Sequence, residues 1–378
     1  MTVVNFGFTE EQEVLRKTAR DFLSEHAPMK RVREVMEGKE SHVRELWARM
    51  AELGWLGLVI PEEHGGAGLS AVELALVLEE LGRSLAPVPF LPTAIAGCAL
   101  MEAGNREQQR EWLPRISAGE VMATLAITEA RGTEDPGDFE LAAKYGKSWA
   151  LRGTKLFVPD ADIADLLVVV ARTGGEGEKG LGLFLVPRDS PGVRIAPMRS
   201  MDTLRNLFRV EFDDVQVPKS ALLDGDSDCW PRLDRVLDRG RVMICAEMVG
   251  GAEKCLEDSV QYAKERIQFG KPIGVNQAIK HKCADMLFQV ESAKSITYYA
   301  AWAAREDDEE APLTASMAKS FVSDAYRKVA AENIQIHGGV GFTWEYDCHL
   351  YFKRAKSDES WFGDGTYHRE RVAQLLRL

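Results

Sequence analysis

Apolar residues recur at three- and four-residue intervals from about residue 9 to 118, give way to short β-rich runs between 121 and 223, and return to helical spacing from 224 onward. In the first stretch Leu15, Ala19, Phe22 and Leu23 share one helical face. Thr9-Glu10-Glu11-Gln12 precedes them as a capping box, in which the hydroxyl and the amide side chain satisfy opposite backbone N–H groups at a helix start. Further periodic stretches at 41–53, 70–83, 92–103 and 106–117 are punctuated by Pro61, the Gly65-Gly66-Ala67-Gly68 turn and Pro87-Val88-Pro89.

The middle of the chain holds six β-rich runs, 122–128, 149–158, 165–172, 181–186, 192–198 and 208–217. A polar loop at 173–180 joins two of them, and the spacing predicts a small antiparallel barrel or sandwich. Long helices follow at 230–265, 276–305 and 312–335, with the charge run 305–310 as the solvated turn between two of them. The prediction is an α+β chain of three domains: an N-terminal helical domain (1–118), a central β domain (119–223) and a C-terminal helical bundle (224–378).

Composition narrows the chemistry. A chain of 378 residues supports more than one core, and 45% hydrophobic with 28% charged residues excludes fibres and disorder. A net charge of −12 excludes a broad nucleic-acid surface, because phosphate neutralisation needs clustered Lys and Arg. The six cysteines are scattered without a CxxC pair, which points to buried reduced thiols rather than to zinc or disulfides. The first residues lack a basic and apolar leader pattern, and no run of 18 apolar residues occurs, so the expectation is a cytoplasmic protein without membrane insertion.

No GxSxG, Walker or zinc spacing is present. Three features stay open on residue chemistry alone. Gly65 to Gly68 is a turn or a phosphate cradle. His337-Gly338-Gly339-Val340-Gly341 caps a helix or lets a ligand approach the backbone. Tyr262, Arg266, Phe269 and Lys271 hold a nucleotide or face solvent.

Four segments in order then carry a resemblance. They are Leu53 to Leu58 with Ile60-Pro61-Glu62-Glu63-His64-Gly65-Gly66-Ala67-Gly68; Tyr262-Ala263-Lys264-Glu265-Arg266-Ile267-Gln268-Phe269-Gly270-Lys271-Pro272-Ile273; Gln335 to Thr343; and Phe362-Gly363-Asp364-Gly365-Thr366. Over essentially its whole length the chain resembles the flavin-dependent acyl-CoA dehydrogenases, including the divergent members of heterotetrameric steroid or bulky acyl-CoA dehydrogenases.

The resemblance implies helical, β and four-helix-bundle domains in a tetramer, with FAD extended across a subunit interface. It implies oxidation of an acyl-CoA to the 2-enoyl-CoA and electron-transfer flavoprotein as acceptor. Arg266 matches the pyrophosphate-binding arginine, and Phe269, Asn276, Gln277, Gln335, Gly338 and Gly339 match the other contacts to the neighbour's FAD. Thr128, Phe157 and Thr366 match positions at the subunit's own cofactor, and Asp238 and Arg241 match positions beside the substrate.

Asp364 stands where the family commonly has a catalytic glutamate. One methylene shorter, its carboxylate is withdrawn by roughly 1.5 Å. The family's alternative base position is Gly240 here, and Glu247, seven residues on, offers the same helical face roughly 10 Å along the axis. A chain without its own base is the remaining option. The family's T-E-P-G-A-G-S-D is here Thr128-Glu129-Ala130-Arg131-Gly132-Thr133-Glu134-Asp135, and its W-I-T is Phe157-Val158-Pro159, where Pro offers neither hydroxyl nor amide.

Three readings follow. The chain is a homotetrameric dehydrogenase with Asp364 as base, or the companion subunit of an α2β2 enzyme that completes its partner's FAD site, or a CoA-thioester-binding protein without redox chemistry.

Overall fold

The computed structural model describes residues 7–38, 43–223, 228–306 and 309–378. Part of the 305–310 charge run, and the junction drawn after residue 223, lie outside the described residues.

The N-terminal helices are α1 (Glu10–His26), α2 (Met29–Met36), α3 (Val43–Glu52), α4 (Ala71–Ser84), α5 (Phe90–Ala103) and α6 (Arg106–Ser117). Thr9 and Gln12 form the expected capping box, and Ser70 and Asn105 repeat it on α4 and α6. The sequence pattern missed α2, an eight-residue helix entered from Pro28. It also placed α5 two residues late. That helix buries Phe90, Leu91, Ile95, Ala96, Cys98, Ala99 and Leu100, and an all-round apolar surface leaves no stripe to count.

The β domain contains β1 (Ala123–Ala126), β2 (Ala142–Tyr145), β3 (Trp149–Pro159), β4 (Leu166–Arg172), β5 (Leu181–Pro187), β6 (Val193–Met198) and β7 (Leu207–Val217). They join in the order β1-β4-β2-β3-β7-β6, with β5 also paired to β4. The purely antiparallel expectation needs correction: β1 runs parallel to β4, from Ala123 opposite Leu166 to Ala126 opposite Val169, and β2 meets β4 in parallel. Strand β2 went unseen because Ala-Ala-Lys-Tyr carries little β-branched signal.

Strand β4 shows why the domain packs where it does. Its residues alternate between two cores: Leu166, Val168 and Val170 join the helical core that includes Ile95 and Leu100, whereas Leu167, Val169 and Ala171 join Phe184, Phe208 and Phe212. One face of the sheet therefore presses on α5.

The C-terminal domain begins with α7 (Trp230–Glu265), then the hairpin β8 (Ile267–Gln268) and β9 (Lys271–Pro272), α8 (Gln277–Glu306), α9 (Ala311–His337), α10 (Cys348–Ser360) and α11 (Gly365–Leu375). Helix α7 crosses α4 at two glycines. A Cβ on Gly250 would overlap the Glu79 carbonyl oxygen, and one on Gly82 would overlap that of Glu247. Gly250→Ala must push the two helices apart and is expected to cost about 1–3 kcal/mol, read as a lower urea midpoint at unchanged slope.

Candidate active site

A cavity of about 480 Å³ opens between the β domain and the last two helices. Thr128, Gly132, Thr133 and Glu134 line it from the segment after β1, Phe157 from β3, and Trp361, Phe362, Gly363, Asp364 and Tyr367 from the α10–α11 junction.

The segment after β1 is held by a buried ion pair. Lys155 has no exposed surface, and its Nζ donates to Glu129 Oε1 at 2.6 Å and to the Ile127 carbonyl at 2.9 Å. The same Glu129 carboxylate accepts the Glu140 and Leu141 N–H groups at 2.7 and 3.1 Å, so one side chain fixes both ends of the loop that borders the cavity. Burial lowers the Lys155 ammonium to about 8 against the pull of Glu129.

Phe157 lies within a bulge, where the β3–β7 register shifts between Lys155 and Val158. Its φ of +54° turns an exposed ring to the cavity, and its N–H approaches Met198 Sδ at 3.3 Å.

Asp364 is the N-cap of α11. Its Oδ1 accepts from the Thr366 and Tyr367 N–H groups at 2.9 and 2.8 Å, which leaves Oδ2 without an intramolecular donor among the described residues. Phe362 packs against Gly240, whose absent Cβ would lie 3.2 Å from the ring. His368, with no exposed surface, holds the Phe362 carbonyl through Nε2 at 2.7 Å. Burial lowers its pKa to about 3, so the ring is neutral and Nε2 carries the proton.

Two expectations change. Asp238 and Arg241 do not face this cavity. The Arg241 guanidinium, 1% exposed, pairs with Asp238 at 2.7 Å and Glu134 at 2.9 Å, and Asp238 also binds Arg371 at 2.6 Å. The member of that ionic chain that reaches the cavity is Glu134, a residue the sequence reading passed over because its segment was read only as a lost glycine turn. Burial raises the Glu134 carboxyl even beside Arg241.

Glu247 is likewise not free to act as a base. Its Oε1 accepts from Arg205 at 2.6 Å and Arg354 at 2.7 Å, outside the Asp364 cavity. Arg205 itself lies over the Trp361 ring, 4.6 Å from the centroid, and so ties this buried cluster to the cavity wall.

The remaining candidates gather elsewhere. Arg266, Phe269, Asn276, Gln277, Gln335, Gly338 and Gly339 are all exposed. The Tyr262 ring stacks on His337 at 4.1 Å, which joins the end of α7 to the end of α9. Gly338 takes φ +67° as the cap of α9, and a Cβ on it or on Gly339 would meet nothing within 4 Å. From Gly240, beside the cavity, to Arg266 the chain climbs 26 residues of α7, roughly 39 Å at 1.5 Å each. The two halves that the resemblance implies therefore lie far apart along α7 within one chain. The Gly65–Gly68 turn is not a third half. The Gly66, Ala67 and Gly68 N–H groups bond to the Pro61, Gly57 and Ile60 carbonyls.

Models of the acyl-CoA dehydrogenase N-terminal, middle and C-terminal domains match residues 9–120, 124–215 and 229–376. An acyl-CoA dehydrogenase of Bacillus subtilis is 33% identical over 381 residues, 97% of this chain and 98% of its own length. The chain belongs to the acyl-CoA dehydrogenase family. Among solved structures, butyryl-CoA dehydrogenase of Megasphaera elsdenii superposes with a TM-score of 0.91 at 26% identity, covering 99% of this chain and 100% of that one. The steroid ACAD Tcur3481-Tcur3483 gives 0.86 at 32% identity, covering 97% and 98%.

As an acyl-CoA dehydrogenase family member the chain is an oxidoreductase acting on acyl-CoA, and members of this family are FAD-dependent. The residues fit such a group. A largely apolar cavity carries the Thr128 and Thr133 hydroxyls, four aromatic rings and the Asp364 carboxylate with a free oxygen, and the distant face carries an exposed guanidinium and unobstructed glycine backbone. Among the described residues no helix is long and apolar enough to cross a membrane.

Proposed function

We propose that the protein removes the α- and β-hydrogens of an acyl-CoA thioester with Asp364 as the base, and that its cofactor spans two subunits. The observation that carries this reading is the separation of the two half-sites along α7. Thr128 and Phe157 at the cavity, with Thr366 exposed on the first turn of α11, hold the flavin ring, while Arg266, Phe269, Asn276, Gln277, Gln335, Gly338 and Gly339 grip the diphosphate and adenosine half of a neighbour's FAD.

Bound there, FAD supplies the acceptor for the β-hydrogen, which leaves as hydride. Asp364 takes the α-proton on Oδ2, and the electron pair of that C–H bond forms the double bond. The N-cap bonds to Oδ1 orient the carboxylate and leave its second oxygen exposed. Phe362 and Trp361 keep the cavity apolar beside it, which strengthens any interaction with the enolate charge that develops on the thioester. Electron-transfer flavoprotein is the proposed electron acceptor.

A second reading is favoured by Pro159, which carries no N–H or hydroxyl toward the ring, and by the Glu134–Arg241 pair at the cavity wall. In it the chain is the companion subunit of an α2β2 assembly and completes its partner's FAD site. Flavin content decides between them. One FAD per chain after expression alone supports the homotetramer, and flavin acquired only on co-expression supports the companion subunit. Loss of the guanidinium in Arg266→Ala is expected to weaken FAD retention about 10- to 100-fold, measured by dialysis against apo-protein fluorescence, in either assembly. Wild-type retention would remove Arg266 from the cofactor site.

A further inference from the structure

Beneath the turn that carries Asp364 lies Lys319 of α9, a lysine with no exposed surface and, among the described residues, no carboxylate salt-bridge partner. Its Nζ donates to the carbonyls of Asp358 at 3.1 Å, Glu359 at 3.0 Å and Gly363 at 2.9 Å, and to Ser323 Oγ at 3.1 Å. The first two are carbonyls in the last turn of α10, where a cation is favourable; that of Asp358 also accepts from the Trp361 N–H at 3.3 Å. The third is different: Gly363 lies outside α10 and immediately precedes Asp364.

Gly363 sits at φ +93°, and a Cβ there would overlap the Tyr367 ring and come within 3.0 Å of His368 Nε2. The neighbouring Phe362 carbonyl is taken by His368. The turn is thus held from below by two buried donors on consecutive carbonyls, and from above by Asp364 itself capping α11. Burying an ammonium for this purpose is expensive: burial lowers it to about 8, and helix-end carbonyls are satisfied more cheaply by water or by a glycine cap. Stability alone does not call for it.

We infer that Lys319 is the positioning residue of Asp364: its ammonium locks the end of α10 to the Gly363 turn, so that the shorter carboxylate projects at a fixed distance into the cavity. This rests on the reading of Asp364 as base. Misplacement by about 1 Å is enough to cost about 100-fold in rate.

The test uses the flavin-loaded assembly. Lys319→Met keeps the volume and removes the charge, and Lys319→Ala leaves room for a small cation. Lys319→Met is expected to slow flavin bleaching by acyl-CoA about 100-fold with flavin content retained. Amide hydrogen exchange at Thr366 and Tyr367, read by mass spectrometry, is expected to speed up at least about 10-fold while that of α7 is unchanged. Ethylammonium, which has three N–H donors, should restore bleaching in Lys319→Ala, and tetramethylammonium, which has the charge alone, should not.

Bleaching at the wild-type rate in Lys319→Met would overturn the assignment. So would slow bleaching with unchanged exchange at the turn, or loss of flavin from both variants, which would make the lysine a folding residue. Failure of the underlying reading shows itself separately, as unchanged bleaching in Asp364→Asn with Lys319 intact.

Discussion

Asp364→Asn is expected to slow substrate bleaching of the flavin by about 10²–10⁴-fold while leaving the protein folded and loaded. The separation of these effects follows from the two jobs of one side chain. As N-cap of α11 the residue needs an oxygen that accepts the Thr366 and Tyr367 N–H groups, and Asn caps as well as Asp. As base it needs a second oxygen with a negative charge, which the amide lacks. Asp364→Ala removes both and should cost about 1 kcal/mol of stability in addition to activity. Asp364→Glu restores the length common in the family but must cap α11 with a longer, more mobile chain, so it trades reach for position. Anaerobic stopped-flow absorbance with equal flavin loading measures all three. Bleaching of Asp364→Asn at the wild-type rate would remove this carboxylate from the mechanism and favour the companion-subunit reading.

The parts of the molecule legible in the sequence are those whose physics is local. The capping box at Thr9, the helical face of α1 and the length of α7 each depend on residues within a few positions of one another, and all three are present in the structure. Strand β2 and the parallel pairing of β1 with β4 depend on contacts across the sheet, and a four-residue strand of Ala-Ala-Lys-Tyr carries no periodic signal to reveal them.

The site divides the same way. Arg266, Phe269 and the Gly338-Gly339 pair could be named as candidates from the sequence because they lie in continuous motifs. All four are exposed, and a Cβ on either glycine would meet nothing within 4 Å. Glu134 and Lys319 could not be, because each acts on a partner far along the chain, Arg241 and Gly363, and His368 could not be, because it reaches the Phe362 carbonyl six residues back across a bend that helical spacing does not reveal. A lysine inside an otherwise apolar helical stretch is the one signal that single-sequence reading could have used. Position 319 falls between Ala315, Ala318 and Val322 on the buried face of α9, where a solvated charge has no place. Helical spacing also misassigned Glu247, since it fixes which face a carboxylate takes and says nothing of the two guanidinium groups that come to meet it.

Arg354→Met is expected to destabilise the fold by about 3–5 kcal/mol at pH 8, the largest loss of any single change considered. Arg354, fully enclosed on α10, bonds through Nε to Asp202 at 2.6 Å and through Nη1 to Glu247 at 2.7 Å. Asp202 comes from the loop between β6 and β7, so this one guanidinium joins the β domain to α7 and α10. Arg205 completes the cluster, with Glu247 at 2.6 Å and Asp358 at 3.0 Å.

Burial alone would raise the Asp202 carboxyl, but Arg354 and Arg205 outweigh it and hold it below its ordinary value. In the wild type that group therefore contributes stability above its unfolded pKa of about 3.9, lost as pH falls through the lower folded value. Without Arg354 the sign reverses. Burial is then opposed by Arg205 and the Leu204 N–H without the largest pull, so the carboxyl is expected to rise in the folded state and the variant to lose stability as pH rises from about 4 toward neutrality.

The deficit should therefore be largest at pH 8 and shrink by pH 5, where the buried carboxyls take up protons. Urea unfolding of both proteins at the two pH values checks this. An equal deficit at both would mean that packing of the side-chain stem, not charge, carries the effect. Because Arg205 also lies over Trp361, the variant should loosen the cavity wall as well, and faster flavin release at pH 8 than at pH 5 is the accompanying expectation.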